Sequence, residues 1–180
     1  MNVRRLSQYP FSSSDRLFFD TNVWLHLYGP LSFPLDHRAS PYSAAFKTIL
    51  ERKCKIFLDV LVLSEFVNVI ARHGYYAKYP NPSGRPSFKA YRNSAAFNVV
   101  AREITQACRR MSSASQYIDT TLSLFDVNKM YIDFERGKAD FNDLALAELC
   151  RTQNLVIVTD DGDFRGRNLT ILTENRKLLP

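Results

Sequence analysis

The stretch DFNDLALAELCRTQNLVIVTDDGDF at residues 140–164 restricts the fold more than any other part of the chain. An aspartate stands where a helix start needs a cap, a run of small and branched apolar residues follows, and the β-branched residues 155–158 then read as a strand. Three acids in four positions, Asp160, Asp161 and Asp163, stop that strand. A short strand with no polar alternation has to be buried on both faces. Where such strands alternate with helices, the arrangement is a mostly parallel sheet covered on both sides.

The same order recurs upstream. Residues 17–19 form an apolar run stopped by Asp20, and Thr21 or Asn22 can cap the apolar helix 23–28, which ends near Gly29-Pro30. A loop with Pro34 and Pro41 leads to a helix at 42–52, a strand at 56–60 and a helix at 61–72. In that helix Glu65, Asn68 and Arg72 fall at helical spacing, a narrow polar stripe on an otherwise apolar element. The prolines and glycines of 73–93 rule out a long helix there. Helices at 94–111 and 115–125, a strand at 130–133 and a strand at 169–172 complete a sheet of about five strands. Residues 1–15 read as a polar arm, 74–128 as an elaboration on the core, and 174–180 as a tail. With 180 residues and no internal repeat, one domain over 1–180 is expected.

Composition narrows the class. With 46% hydrophobic and 23% charged residues the chain reads as an ordinary globular protein. Nothing approaches the apolar length that spans a bilayer, and no apolar run follows Arg4 and Arg5, so a cytoplasmic, membrane-free protein is expected. Cys54, Cys108 and Cys150 are odd in number and unpaired in spacing, as buried free thiols in a reducing compartment would be. The net charge of +6 favours polyanionic partners, and it is concentrated: residues 66–102 contain no acid but carry Arg72, Lys78, Arg85, Lys89, Arg92 and Arg102. Tyr75, Tyr76, Tyr79, Phe88 and Tyr91 are interleaved with these cations. The segment reads equally as an RNA-binding lid or as a helical insertion whose tyrosines pack on the core and whose cations are solvated. A dimer or antitoxin surface would use the same residue types.

In open α/β sheets the functional crevice lies beyond the carboxyl ends of the strands. Asp20, Asp160 and Asp161 fall there, with Glu65 and Asp143 in the opening turns of helices beside the same edge. Taken singly, most of these acids have local explanations: Asp20 as a turn residue, Asp140 as an N-cap with Asp143 behind it, and 160–163 as a turn. Glu65 is harder to dismiss, because its neighbours one turn away are Leu61, Val62, Asn68 and Val69 and none is a cation. Its partner must come from elsewhere, either a metal or a distant arginine.

Together, converging carboxylates raise one another's pKa, and a divalent cation relieves the repulsion. Oxygen-only donors suit Mg²⁺ or Mn²⁺, and His26, His37 and His73 are not placed as ligands. The chemistry that fits is metal-assisted phosphodiester hydrolysis by one or two ions. Nucleophile-elbow, P-loop, HExxH and dinucleotide-binding patterns are absent, and Asn22 stands where a haloacid-dehalogenase-type phosphatase needs a second aspartate.

Four segments carry a joint signal: FFDTN at 18–22, LSEF at 63–66, DFND at 140–143 and VTDDGDF at 158–164. In this order the chain resembles the PIN-domain nucleases, in particular their VapC-like toxin branch. The resemblance implies a three-layer α/β/α fold with a helical insertion. It also implies an Mg²⁺- or Mn²⁺-dependent endoribonuclease leaving 5′-phosphate products, a homodimer, and an antitoxin partner in a toxin-antitoxin pair. It places the catalytic and metal-binding acids at Asp20, Glu65, Asp143 and Asp161, with Asp140, Asp160 and Asp163 as auxiliaries and Asn22 and Thr159 as supporting residues. Within each doubled pair Asp143 and Asp161 are preferred, the first because it precedes the small apolar run, the second because it lies two residues after Thr159. The long middle departs from the compact toxins, so RNA processing outside a toxin pair, or a non-catalytic RNA- or protein-binding domain, are the competing readings. On the lid reading, Arg72, Lys78, Arg85, Lys89 and Arg92 are the RNA contacts.

Overall fold

A computed structural model describes residues 2–30 and 39–179; His37, read above as a loop residue, lies outside them. Among the described residues there are six strands, all paired in parallel. They are β1 (Asn2–Arg5), β2 (Arg16–Phe19), β3 (Lys55–Leu58), β4 (Gln116–Tyr117), β5 (Val156–Val158) and β6 (Thr170–Thr173), in the order β1-β6-β5-β2-β3-β4. The helices are α1 (Thr21–Tyr28), α2 (Ala39–Glu51), α3 (Val60–Lys78), α4 (Phe88–Arg92), α5 (Ala95–Ser113), α6 (Val127–Glu135) and α7 (Phe141–Thr152).

Leu17, Phe18 and Phe19 point to alternate faces of β2, and all three are buried. The central sheet is therefore covered on both sides, the α/β/α layering expected of uninterrupted apolar strands. α1, α3 and α5 pack on one another, and α6 packs on α7.

Two returns from helix to strand use one device. After α2, Lys53 takes a left-handed φ of 55°, and the Cys54 and Lys53 amides donate to the Ile49 and Leu50 carbonyls. After α7, Asn154 does the same with φ 50°, and the Leu155 amide donates to the Cys150 carbonyl. Such caps satisfy orphan carbonyls while turning the chain sharply, which sets the starts of β3 and β5 side by side with β2.

The structure alters several sequence expectations. The polar arm is not free: β1 pairs in register with β6, and Leu6 is buried, so edge pairing rather than periodicity orders it. Asp20 itself, not Thr21 or Asn22, caps α1. The helix expected to stop at Arg72 runs on to Lys78, because Gly74 lets its neighbours come close. A Cβ at Gly74 would lie 3.0 Å from the Tyr91 hydroxyl and 3.1 Å from Val100.

Residues 115–125 are not a helix: β4 extends the sheet beside β3, and residues 122–124 form a single 3-10 turn. The strand expected at 130–133 is part of α6, where the Asp126 cap and burial of Met130 and Asp133 at helical spacing override the β-like composition of MYID. Of the three free thiols only Cys150 is buried. No described helix is long and apolar enough to cross a membrane.

Candidate active site

β2 and β5 are adjacent, so the residues that follow them share one edge of the sheet. Asp20 caps α1, its Oδ1 accepting the Thr21 amide at 2.7 Å. Its Oδ2 accepts the Thr159 hydroxyl at 2.7 Å and the Asn22 amide at 2.5 Å. The same Thr159 hydroxyl accepts the Asp161 amide at 2.9 Å, and Asn22 Oδ1 accepts the Asp160 amide at 3.0 Å. Thr159 and Asn22 thus stitch the end of β2 to the end of β5.

Glu65 lies in the second turn of α3 rather than the first, half-buried. The Thr21 hydroxyl donates to its Oε2 at 3.1 Å. Among the described residues no arginine reaches it, and its hydrogen-bond partner there is the Thr21 hydroxyl.

Asp140 caps α7, its Oδ1 accepting the Asp143 amide at 2.9 Å, and its side chain is exposed. Asp143 is half-buried. Local capping and a shared acidic edge therefore coexist, because a carboxylate that accepts a backbone amide keeps further lone pairs free.

The electrostatics show which acids are together. Burial pushes Asp20 up to about 7, against the hydrogen bonds from Thr159 and Thr21, with Glu65 and Asp161 adding repulsion. Asp143 is pushed up to about 8 by burial and then by Asp140, Asp20, Asp161 and Glu65. Glu65 is raised by burial, with Asp140 and Asp161 contributing. Five acids thus share one field: Asp20, Glu65, Asp140, Asp143 and Asp161.

The other two candidates stand apart. Asp163 is exposed and gives only its amide to Asp161 Oδ1. The Asp160 carboxylate turns away from the group. Its Oδ1 accepts the Tyr42 hydroxyl at 3.0 Å, and its Oδ2 lies 3.7 Å from His26 Nε2. His26 and Tyr42 stack in parallel, with ring centroids 5.2 Å apart. The sequence reading gave His26 no organising part and overlooked Tyr42, and no local signal marks either, because the contact joins α1, α2 and the end of β5. Tyr42 also accepts the Glu174 amide, which ties in the segment after β6.

As donors, the five acids offer hard oxygens without nitrogen or sulfur, which suits Mg²⁺ or Mn²⁺. The elevation of Asp20, Glu65 and Asp143 is what a divalent cation would reverse. Among the described residues no three His, Cys, Asp or Glu side chains stand at metal-ligand spacing.

The basic middle is arranged differently. Tyr75 and Tyr91 are buried and, with Tyr79, Phe88 and Phe97, form one ring cluster. Arg72 and Arg92 lie over Phe88, and Arg85 over Tyr75 and Tyr76. Lys78 and Lys89 are exposed. The packed-insertion reading describes these tyrosines better than the lid reading does.

No curated protein sequence matches the chain. Similar folds include VapBC2 from Rickettsia felis, bound to a DNA fragment from their promoter, with TM-score 0.57, 14% identity and coverage of 87% of this chain and 97% of that one. They also include VapC20 from Mycobacterium tuberculosis, a sarcin-ricin loop cleaving toxin, with TM-score 0.52, 17% identity and coverage of 86% and 96%. FitAcB from Neisseria gonorrhoeae matches with TM-score 0.53, 18% identity and coverage of 87% and 96%. At these identities the likeness is one of fold. A family model described as PIN domain matches residues 17–168, which include all four acidic segments, and the chain belongs to the PIN-domain family.

Proposed function

We propose that this chain is a Mg²⁺- or Mn²⁺-dependent endoribonuclease and the toxin of a toxin-antitoxin pair, with Asp20, Glu65, Asp143 and Asp161 as its metal-binding and catalytic acids. The observation that carries the reading is the gathering of Asp20, Glu65, Asp143 and Asp161 at one sheet edge, where burial first and neighbouring acids second lift Asp20 to about 7 and Asp143 to about 8. Such elevation at one sheet edge is a cost that folding alone does not explain.

In this reading Asp20 is the fixed point, because three donors set its orientation. The Thr21 hydroxyl aims Glu65. Asp143, whose carboxyl burial and the neighbouring acids push up to about 8, would have to lose its proton to hold a cation. A divalent ion bound there supplies Lewis acidity toward a phosphodiester and toward water. Asp140 is a secondary contributor through its place in the same field. Asp160 is a structural anchor rather than a ligand, given its contacts to Tyr42 and His26.

The toxin assignment draws on the similar folds, among which are VapBC2, VapC20 and FitAcB. An antitoxin protein and a second copy of the chain are the partners it implies. The test is RNA cleavage by the purified chain with Mn²⁺, with EDTA, and as Asp20→Asn. Cleavage only by the wild type with Mn²⁺ is expected; equal cleavage in all three arms would sink the reading.

A further inference from the structure

Three exposed aromatic rings on α6 and α7 belong to neither the core nor the basic middle. Tyr131 and Phe134 of α6 are 53% exposed and Phe141 of α7 is 38% exposed. The Phe141 ring stacks near Tyr131 at 6.1 Å and meets Phe134 edge-on at 6.2 Å. Phe141 and Asp143 both lie in the first turn of α7, behind the Asp140 cap.

Against the same two helices lies a cleft of about 400 Å³, closed on its third side by residues 165–169. Five cations line it against two acids, and those acids are matched within it, Asp133 by Lys138 at 2.6 Å and Glu148 by Arg151 at 2.6 Å. Lys129, Arg165 and Arg167 carry the surplus positive charge. Open ring faces next to surplus cations match an unpaired nucleic-acid strand, whose bases stack and whose phosphates need counter-charge. An apolar protein partner would use the rings but leave the cations unanswered.

We propose that Tyr131, Phe134 and Phe141 form a stacking platform for unpaired bases of an RNA strand, with the adjoining phosphates drawn into the cationic cleft. This rests on the nuclease reading and gives its RNA substrate a binding surface outside the acidic group. The RNA contacts then lie on α6 and α7 rather than on the 74–93 segment, where Arg85 and Arg92 already lie over aromatic rings.

The test is fluorescence anisotropy in EDTA, with a labelled single-stranded RNA oligonucleotide, the same strand bearing abasic sites, and a fully paired hairpin. Phe134→Ala and Tyr131→Ala are expected to weaken binding of the single strand by about tenfold each, and Phe134→Trp to restore it. The abasic strand and the hairpin should be insensitive to all three. Thermal melts of each variant check that it folds. Unchanged affinity for the single strand in both alanine variants, or equal loss on the abasic strand, overturns the platform, as does a wild type that binds no RNA. Loss confined to self-association in sedimentation would assign the rings to a second copy of the chain and equally overturn it. A wild type whose RNA binding depends on the rings but which cleaves nothing with Mn²⁺ would keep the platform and reject the nuclease.

Discussion

The acidic edge and the basic middle segment are both dense in charge, yet they treat it in opposite ways. At the edge, five carboxylates share one field with no arginine or lysine bonded to them among the described residues, and burial, more than their mutual repulsion, raises Asp20, Glu65 and Asp143. In the middle, Arg72, Arg85 and Arg92 lie over aromatic rings that themselves pack into a buried cluster. Among the described residues one region gathers carboxylates without a basic partner, while the other rests its arginines on its own rings. Uncompensated charge at a strand edge implies a ligand still to come, whereas charge resting on rings is already accounted for by the fold.

The strongest way to break this comparison is to remove one acid. Asp143→Asn should reduce Mn²⁺-dependent RNA cleavage by roughly 100-fold or more, measured as initial rate, while the protein still melts cooperatively. Activity close to wild type would mean that the edge is acidic for structural reasons only.

Next in size is the ring cluster. Tyr91→Ala removes a ring that is 2% exposed and is expected to cost about 3–5 kcal/mol in denaturant unfolding. If Tyr91 instead served as a base platform, its loss would change RNA affinity and leave stability alone.

The pH dependence comes third. Folded-state values of about 7 for Asp20 and about 8 for Asp143 lie above that of an unfolded aspartate, so ionising these groups opposes folding. Their effect on stability is most favourable below the unfolded value and is lost as pH rises through 7 and 8. The metal-free melting temperature should therefore fall on going from about pH 6 to about pH 9, and the rise caused by excess Mg²⁺ should grow over the same span. A Mg²⁺ effect independent of pH would separate the cation from these acids.

The smallest expected effect is at the surface of the middle segment. Arg92→Ala should change stability by about 1 kcal/mol or less and leave the cleavage rate unchanged. A large loss of cleavage there would return the RNA contact to the basic segment.

Much of this was legible in the chain itself, for a local reason. Residues 17–19 and 155–158 are apolar without alternation, and each ends at an acid, which requires buried parallel strands with carboxylates at one edge. The Asp140 cap and the helix behind it follow from adjacent residues in the same way. Edge strands were not legible: β1 and β4 are polar, and they exist because β6 and β3 present unpaired backbone to them. α6 was misread as a strand for the related reason that its buried side, Met130 and Asp133, is defined by what α7 offers it.

The sequence alone determined that acids follow the strands and that the sheet is parallel, because periodicity and capping act between neighbours in the chain. Only the tertiary structure separated Asp161 from Asp160. Asp161 shares the field, as Asp140 and Asp143 both do, while Asp160 contacts Tyr42 and His26, since a side chain's direction depends on contacts from residues far away in sequence. It also decided that Tyr75 and Tyr91 of the basic middle are buried and that Tyr131, Phe134 and Phe141 of α6 and α7 are open to solvent, a distinction no count of aromatics and cations contains.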